Sequence, residues 1–536
     1  MLHLARFGIA IVMIGSYTGR LMLEHNFKET ARHNMNLKTM LSAQAERYGD
    51  KTAIVSGESR LSYAELDKAS NKAARAFLEM GVGKGDRVAM LALNSPEFVV
   101  MYFGIVKIGA ITVPLDTKYK LDELTSLFTD SKPKVLLTET SFLRPLLPAL
   151  PRFGYIEKII TLDGDGDGQF ISYREIMADN SADAVDINPS EDDIASTCYT
   201  SGPAFRPRGS MLSHKELLTA TDIAGDSFHQ DDKDVAILFA LPMHHIAGMA
   251  IVLLTSLVKG STVVMLSGLS IDGLLRIVER EKVSVFTGVP FVFALMANAA
   301  EESGIKYDLS SLRICTAGGS AMPVGLMQLF KKLYGLDVVQ WWALTESLAQ
   351  VTCQPVDGSG TLGSVGTILP GWEVKIVDNN GNEVPEGQEG EIIARGPLMR
   401  GYYNNLQATA EVMKEGFLYT GDLGKFNRDQ ELFITGLKKD LIIAKGQNIC
   451  PSDIEDVLHA HPKIAEVAVV GMSDELRGEV VRAVIRLKDG MTVTEQEIRR
   501  FCLKRIANYK IPKQIVFRDA LPRTVGGKID KASLKG

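Results

Sequence analysis

Thr200, Ser201 and Gly202 stand side by side, and Arg208 and Gly209 follow a few residues on. Two hydroxyls on a glycine turn can donate hydrogen bonds to phosphate oxygens, and a guanidinium nearby adds the charge that a polyphosphate attracts. The chemistry on offer is the holding of a phosphorylated ligand. Gly202 does not begin a Gly-x-x-x-x-Gly-Lys-Ser/Thr spacing, so the turn is not a Walker loop. A second stretch, Asp163-Gly164-Asp165-Gly166-Asp167-Gly168-Gln169-Phe170, repeats the opening of a calcium-binding loop, where alternating carboxylates converge on the ion. The bidentate glutamate that would close such a loop is displaced: Arg174 holds its position and Glu175 comes one residue late. An acidic turn between a strand and a helix is the better reading. The five cysteines, Cys198, Cys315, Cys353, Cys450 and Cys502, are scattered and odd in number, which argues against a disulfide framework and a zinc site. A reducing cytoplasm fits them.

The elements that must position these residues follow from length and periodicity. A chain of 536 residues with 46% hydrophobic composition exceeds one core and implies at least two domains. A net charge of −6 with both signs interspersed leaves no broad basic surface for nucleic acid. Short β-branched runs at 87–93, 135–137, 235–239, 262–266, 283–286 and 312–315 alternate with helical stretches, which predicts α/β layering. Ser62 and Glu65 have capping-box spacing, and Asn94-Ser95-Pro96 offers a cap followed by proline in the first helical turn. After about residue 436 the texture changes. Runs at 464–470 and 480–487 read as strands, while 454–458 and the stretch capped by Thr494 and Glu497 read as helices, predicting a small α+β domain. Residues 7–15 form an apolar run too short to span a bilayer. The first 34 residues read as an extension before Met35, with membrane contact the less favoured role.

Tyr199 to Gly209 resembles the phosphate loop of the AMP-forming acyl-CoA synthetases, in the AMP-binding, adenylate-forming superfamily, which usually reads Thr-Ser-Gly-Thr-Thr-Gly-x-Pro-Lys-Gly. The frame is kept at Thr200, Ser201, Gly202, Pro207 and Gly209, whereas Pro203, Ala204, Phe205 and Arg208 depart from it. Other segments match the family in order across roughly residues 35 to 536. Leu241 to Gly248 resembles its Pro-x-Phe-His-x-x-Gly segment, which places His245 at the acyl pocket. Thr316 to Pro323 resembles the turn against adenine, which brings in Gly318, Gly319 and Ser320. Gln340 to Glu346 resembles the Tyr-Gly-x-Thr-Glu segment, with Trp342 as the adenine-stacking aromatic, Thr345 beside the nucleotide and Glu346 on Mg²⁺, together with Thr200. Glu391 to Pro397 and Gly401-Tyr402-Tyr403-Asn404 match further signatures. In Tyr419-Thr420-Gly421-Asp422-Leu423, Asp422 is the implied ribose anchor. Lys439 keeps a hinge position, and Lys445 and Gly446 open a loop implied to meet coenzyme A. Leu521 to Ile529 resembles the terminal Gly-Lys signature and makes Lys528 the implied catalytic lysine.

The resemblance implies an α/β fold with a large multi-sheet N-terminal domain over 35–435, a hinge at 436–440, and a small mobile α+β C-terminal domain over 441–536. It implies ATP, Mg²⁺ and coenzyme A as co-substrates and metal, a small carboxylic acid as partner, and a cytoplasmic setting in which a homodimer is allowed. A medium- or long-chain fatty acid is the first expectation for the acid and an aromatic acid the second. Pro203 lacks a donor, Phe205 is strained wherever glycine would be left-handed, and Leu437 replaces an arginine that contacts the nucleotide. Strain of about 1 to 3 kcal/mol would weaken ATP binding. A non-catalytic homologue binding an acyl or nucleotide ligand therefore stands as the alternative. Loading of a carrier protein and a luciferase-like oxygenation are others that the scaffold permits; the absence of a carrier domain before Gly536 favours free coenzyme A. The retention of His245, Glu346, Asp422 and Lys528 in register favours an active enzyme.

Overall fold

The computed structural model describes residues 35–164, 170–200, 207–266, 268–320, 322–438, 441–474, 476–523 and 529–535. At its centre lies the helix Pro96–Lys107, buried from Phe98 to Lys107. A helix that is apolar all round has no solvent face and goes to the interior. Ser95 caps it by accepting from the Phe98 amide, with Pro96 in the first turn. It packs on Tyr63–Glu79, where the Ser62 and Glu65 capping box forms in full. Gly104 sets the closeness of this contact, because a Cβ there would stand 2.5 Å from the Ala73 Cβ. Lys107 ends the helix fully buried, with Nζ donating to Asp67 Oδ1 at 2.8 Å and to Asn71 Oδ1 at 2.6 Å. Burial lowers its pKa to about 8.

Among the described residues, sheets of seven and nine strands make up most of the large domain. In the seven-stranded sheet, Lys158–Thr161, Val135–Thr138, Arg87–Leu91, Ile111–Pro114 and Ile194–Thr200 run parallel, and Arg208–Ser213 closes one edge antiparallel with Thr200 opposite Arg208. The nine-stranded sheet has a parallel centre of Val338–Ala343, Ile314–Ala317, Val285–Gly288, Val235–Phe239, Thr262–Leu266 and Thr52–Ser56. Runs 235–239 and 262–266 are strands over their full expected length. Runs 283–286 and 312–315 begin late, because the Val283 and Leu312 amides bond back to Val278 and Leu309 and are spent closing turns. A five-stranded sheet follows, in which Phe417–Phe426 pairs with Leu432–Leu437 and sets Asp422 opposite Leu437.

The small domain has its own core, formed by residues between Ile442 and Ile515, while the main core of the large domain spans Leu37 to Leu432. Its strands Ile464–Asp474 and Gly478–Leu487 form a long antiparallel ribbon, joined in parallel by Gln514–Phe517, and Pro451–His459 and Glu495–Leu503 are its helices. The α/β expectation of a multi-sheet large domain and a smaller α+β domain therefore holds. Residues 1–34, Lys439 and Asp440 lie outside the described residues, as do residues 165–169 of the acidic turn. Asp163 caps that turn's neighbour by accepting from the Thr140 amide at 2.8 Å. Among the described residues, no helix is long and apolar enough to cross a membrane.

The Gly104 contact makes a direct prediction. Gly104→Ala must push the two central helices apart and should lower unfolding free energy by about 1 to 3 kcal/mol, read from the urea midpoint. An unchanged midpoint would refute the close approach.

Candidate active site

A cavity of about 600 Å³ opens where the strand ends of the large domain face the small domain. Trp341 and Trp342 are neighbours on the strand Val338–Ala343, so their side chains leave it on opposite faces. Trp342 lines the cavity, and its indole Nε1–H donates to Asp422 Oδ2 at 2.7 Å. The Asp422 amide in turn donates to Thr420 Oγ1 at 3.0 Å. The expected stacking aromatic and the expected ribose anchor thus form one hydrogen-bonded unit. Trp341 also borders the cavity, held by its Nε1 donating to Thr316 Oγ1 at 3.2 Å and by its ring against Gly318, where a Cβ would come within 2.4 Å.

Glu346 sits in the one-turn helix Thr345–Ser347 and accepts the Tyr402 hydroxyl proton at 2.6 Å through Oε1. Burial, and then Glu346, raise the Tyr402 pKa, so the phenol keeps its proton and donates. The Arg208 guanidinium lies 5.6 Å from the centre of the Tyr402 ring and 3.7 Å from Glu411. Thr200, Arg208, Glu346 and Tyr402 all reach the cavity and make a wall of hydroxyls, one cation and one carboxylate.

On the side expected to take the acyl group, His245 precedes a π-helical stretch, Ala247–Leu254. Such wide turns recur at functional sites. Gly248 makes the approach possible, since a Cβ there would be 2.5 Å from the Pro242 carbonyl oxygen. The His244 and His245 rings are 4.4 Å apart, and Asp116 Oδ1 is 3.7 Å from His244 Nε2, outside hydrogen-bond range. Burial lowers both imidazole pKa values, with His245 adding to the shift of His244, which falls to about 3. Both rings are neutral at physiological pH.

The structure brings Thr200, Arg208, His245, Gly319, Ser320, Trp342, Thr345, Glu346, Asp422 and Gly446 to one cavity. Gly209 and Gly318 stand off its wall. Gly209 makes room for Thr197 and Tyr199, as Gly318 does for Trp341. Lys445 holds its ammonium 4.6 Å from the centre of the Phe291 ring. Gly446 is the loop residue that approaches: its φ is +75°, and a Cβ would meet Val289 at 2.8 Å. Ser201, Gly202, Lys439 and Lys528 lie outside the described residues. Trp341, which sequence reasoning expects at the acyl site, and Gln447, in the loop expected to meet coenzyme A, also line the cavity, whereas Tyr402 and Tyr509 were missed as wall residues. Tyr402 had a signal, its place in the Gly401 to Asn404 signature; Tyr509 had none.

A family model described as AMP-binding enzyme matches residues 41–403, and one described as AMP-binding enzyme C-terminal domain matches 453–528. The chain belongs to the AMP-binding enzymes. An indoleacetate–CoA ligase of Aromatoleum aromaticum is 34% identical, over 94% of this chain and 98% of that protein. A long-chain-fatty-acid–CoA ligase of Bacillus subtilis is 31% identical, over 92% and 93%. The solved o-succinylbenzoate CoA synthetase of Bacillus subtilis, bound to a product analogue, has a TM-score of 0.81 at 28% identity, covering 92% of this chain and 98% of that one. The place of this AMP-binding enzyme is among the AMP-forming acyl-CoA synthetases.

The neutral His244 of the synthetase predicts acid sensitivity. Below about pH 6.5 the unfolded chain takes up a proton that this folded imidazole refuses until about pH 3, so stability falls as pH drops through that window. His244→Gln should shrink the loss of unfolding free energy between pH 7 and pH 5 by about 1 to 2 kcal/mol. Urea titrations at the two pH values test this; a loss equal to that of the parent protein would refute it.

Proposed function

We propose that this synthetase joins a compact carboxylic acid, aromatic in its apolar part, to coenzyme A with cleavage of ATP to AMP and pyrophosphate. One observation carries the reading: the Asp422–Trp342 unit, the Glu346–Tyr402 pair, His245 and the small-domain residues Gly446 and Gln447 all face a single cavity. A carboxylate is a poor electrophile. Attack of its oxygen on the α-phosphorus of ATP expels pyrophosphate and gives an acyl-adenylate. Attack of the coenzyme A sulfur on the acyl carbon, with loss of the thiol proton, then expels AMP.

Asp422 can accept from ribose hydroxyls while Trp342 fixes its other oxygen. Arg208 and Thr200 serve the phosphates, and Lys528 is the cation assigned to the charge that develops in the first step. Glu346 and Thr200 offer the oxygen donors that suit Mg²⁺ and stand on the same wall, so they fit it. The ion when bound would neutralise phosphate charge. The small domain over 441–536 turns about the hinge at 436–440, and Gly446 and Gln447 serve the thioester step. All five cysteines are free, which supports a reducing, cytoplasmic setting.

Compactness of the acid rests on Trp341. Its ring is 5% exposed, pinned at Thr316 and Gly318, and occupies volume on the wall of a 600 Å³ cavity that must also take the adenylate. That leaves little room for a long chain. The first-named relative, an indoleacetate–CoA ligase, supports the same class.

Acid-dependent ATP–pyrophosphate exchange across aromatic acids and fatty acids of graded length should give its best rates with compact aromatic acids, and Lys528→Ala should lower exchange by roughly 100- to 1,000-fold. Silence with every acid, and no AMP release with coenzyme A present, overturns the ligase reading. Trp341→Gly should shift preference toward longer acids by on the order of tenfold in kcat/KM. Long-chain acids already preferred by the parent protein would refute the role given to Trp341.

A further inference from the structure

The two domains meet at more than the cavity. Lys510 ends the one-turn helix Asn508–Lys510 of the small domain, and its Nζ lies 2.7 Å from Glu123 Oε1 and 3.0 Å from Asp453 Oδ2. The three side chains are only 4%, 2% and 0% exposed, so this is a buried ionic cluster. Its members belong to different bodies. Asp453 and Lys510 are both in the small domain, whereas Glu123 lies in the large-domain helix Leu121–Ser131, anchored by Leu124, Leu127 and Phe128. The same seam is lined by reciprocal ring contacts: the Lys510 ammonium lies 5.2 Å from the centre of the Tyr119 ring, and the Lys118 ammonium 5.6 Å from that of Tyr509.

We propose that Glu123 and Lys510 form a positioning pair that latches the small domain in the orientation serving thioester formation, a role that rests on the ligase reading above. Asp453 follows directly on Cys450, Pro451 and Ser452, which line the cavity together with Gly446 and Gln447. Holding Lys510 to Glu123 therefore presses the 446–452 segment against the site. A rotation of the small domain carries the Lys510–Asp453 pair with it and, within the ionic cluster, breaks only the bond to Glu123, parting the two ring contacts at the same time. Glu123 keeps its other bond, in which Oε2 accepts from the Lys120 amide at 3.0 Å. Both parted ions meet water as the seam opens, so the desolvation cost of the closed state is returned on opening. An ionic latch is thus specific when closed and releasable, whereas an apolar contact of the same area would expose its surface at full cost.

Glu123→Gln keeps the shape and the capping oxygen, removes only the charge, and leaves Lys510 paired with Asp453, so the small-domain core stays neutralised. The full-length protein and this variant are compared in two half-reactions, ATP–pyrophosphate exchange with the best acid of the panel and rapid-quench transfer from that acid's preformed adenylate to coenzyme A. The expected result is exchange within about twofold of the parent protein and acyl transfer slower by on the order of tenfold or more, as loss of a charge-assisted bond implies. A merely structural role would lower both rates together. Equal losses in both halves, or no loss in either, overturn the latch while leaving the ligase reading intact. Exchange missing already from the parent protein overturns the ligase reading and the latch with it.

Discussion

The site exists only where two separately folded cores meet, and the seam between them is polar. Each domain buries its own apolar cluster. What joins them is a set of charges, rings and glycine contacts: Lys510 with Glu123, Lys118 over Tyr509, and Gly446 against Val289. Such an interface resembles one between transient partners more than a core cut in half. That composition suits a catalyst proposed to serve two steps with different walls, since a polar seam can part and rehydrate whereas an apolar one cannot.

The large-domain wall is prepared in a different way. Its polar groups are paired before any ligand arrives: Trp342 with Asp422, Tyr402 with Glu346, Arg208 with the Tyr402 ring. Each pairing fixes a side chain that lines the cavity. Side chains held by such bonds need little ordering when substrate binds, which is the physical content of preorganisation. The neutral His244–His245 pair adds the opposite quality, an uncharged patch next to the place assigned to the acyl group.

Much of this was legible in the chain. Capping at Ser62 and Ser95 is local chemistry, and both caps form; the short β-branched runs at 87–93, 135–137, 235–239 and 262–266 lie on strands, because strands buried on both faces favour such residues. The site residues that a motif carries, such as Asp422 and Glu346, reach the cavity. Gly209 and Gly318 do not, although motifs carry them too, because a glycine can mark a close approach to a ligand or to another side chain, and spacing does not distinguish these. Glu123 and Tyr509 were illegible. They lie 386 positions apart, each reads as an ordinary surface residue, and only the docking of two domains makes them neighbours across one seam.

The departures in the phosphate loop read differently once Arg208 and Leu437 have places. Leu437 is opposite Asp422 in the ladder, so the position where the family carries arginine adjoins the ribose anchor. With leucine there, the cation nearest this wall has to come from elsewhere. Arg208 supplies a planar one, which a lysine could not match in stacking on Tyr402 while also facing Glu411. Tyr402 in turn holds Glu346, so the arginine is tied through one ring to the carboxylate assigned to the metal. The wall assigned to the phosphates therefore keeps a cation at 208, where arginine stands in place of the family's lysine, and ties it through Tyr402 to Glu346, while the charge that the family carries at 437 is lost.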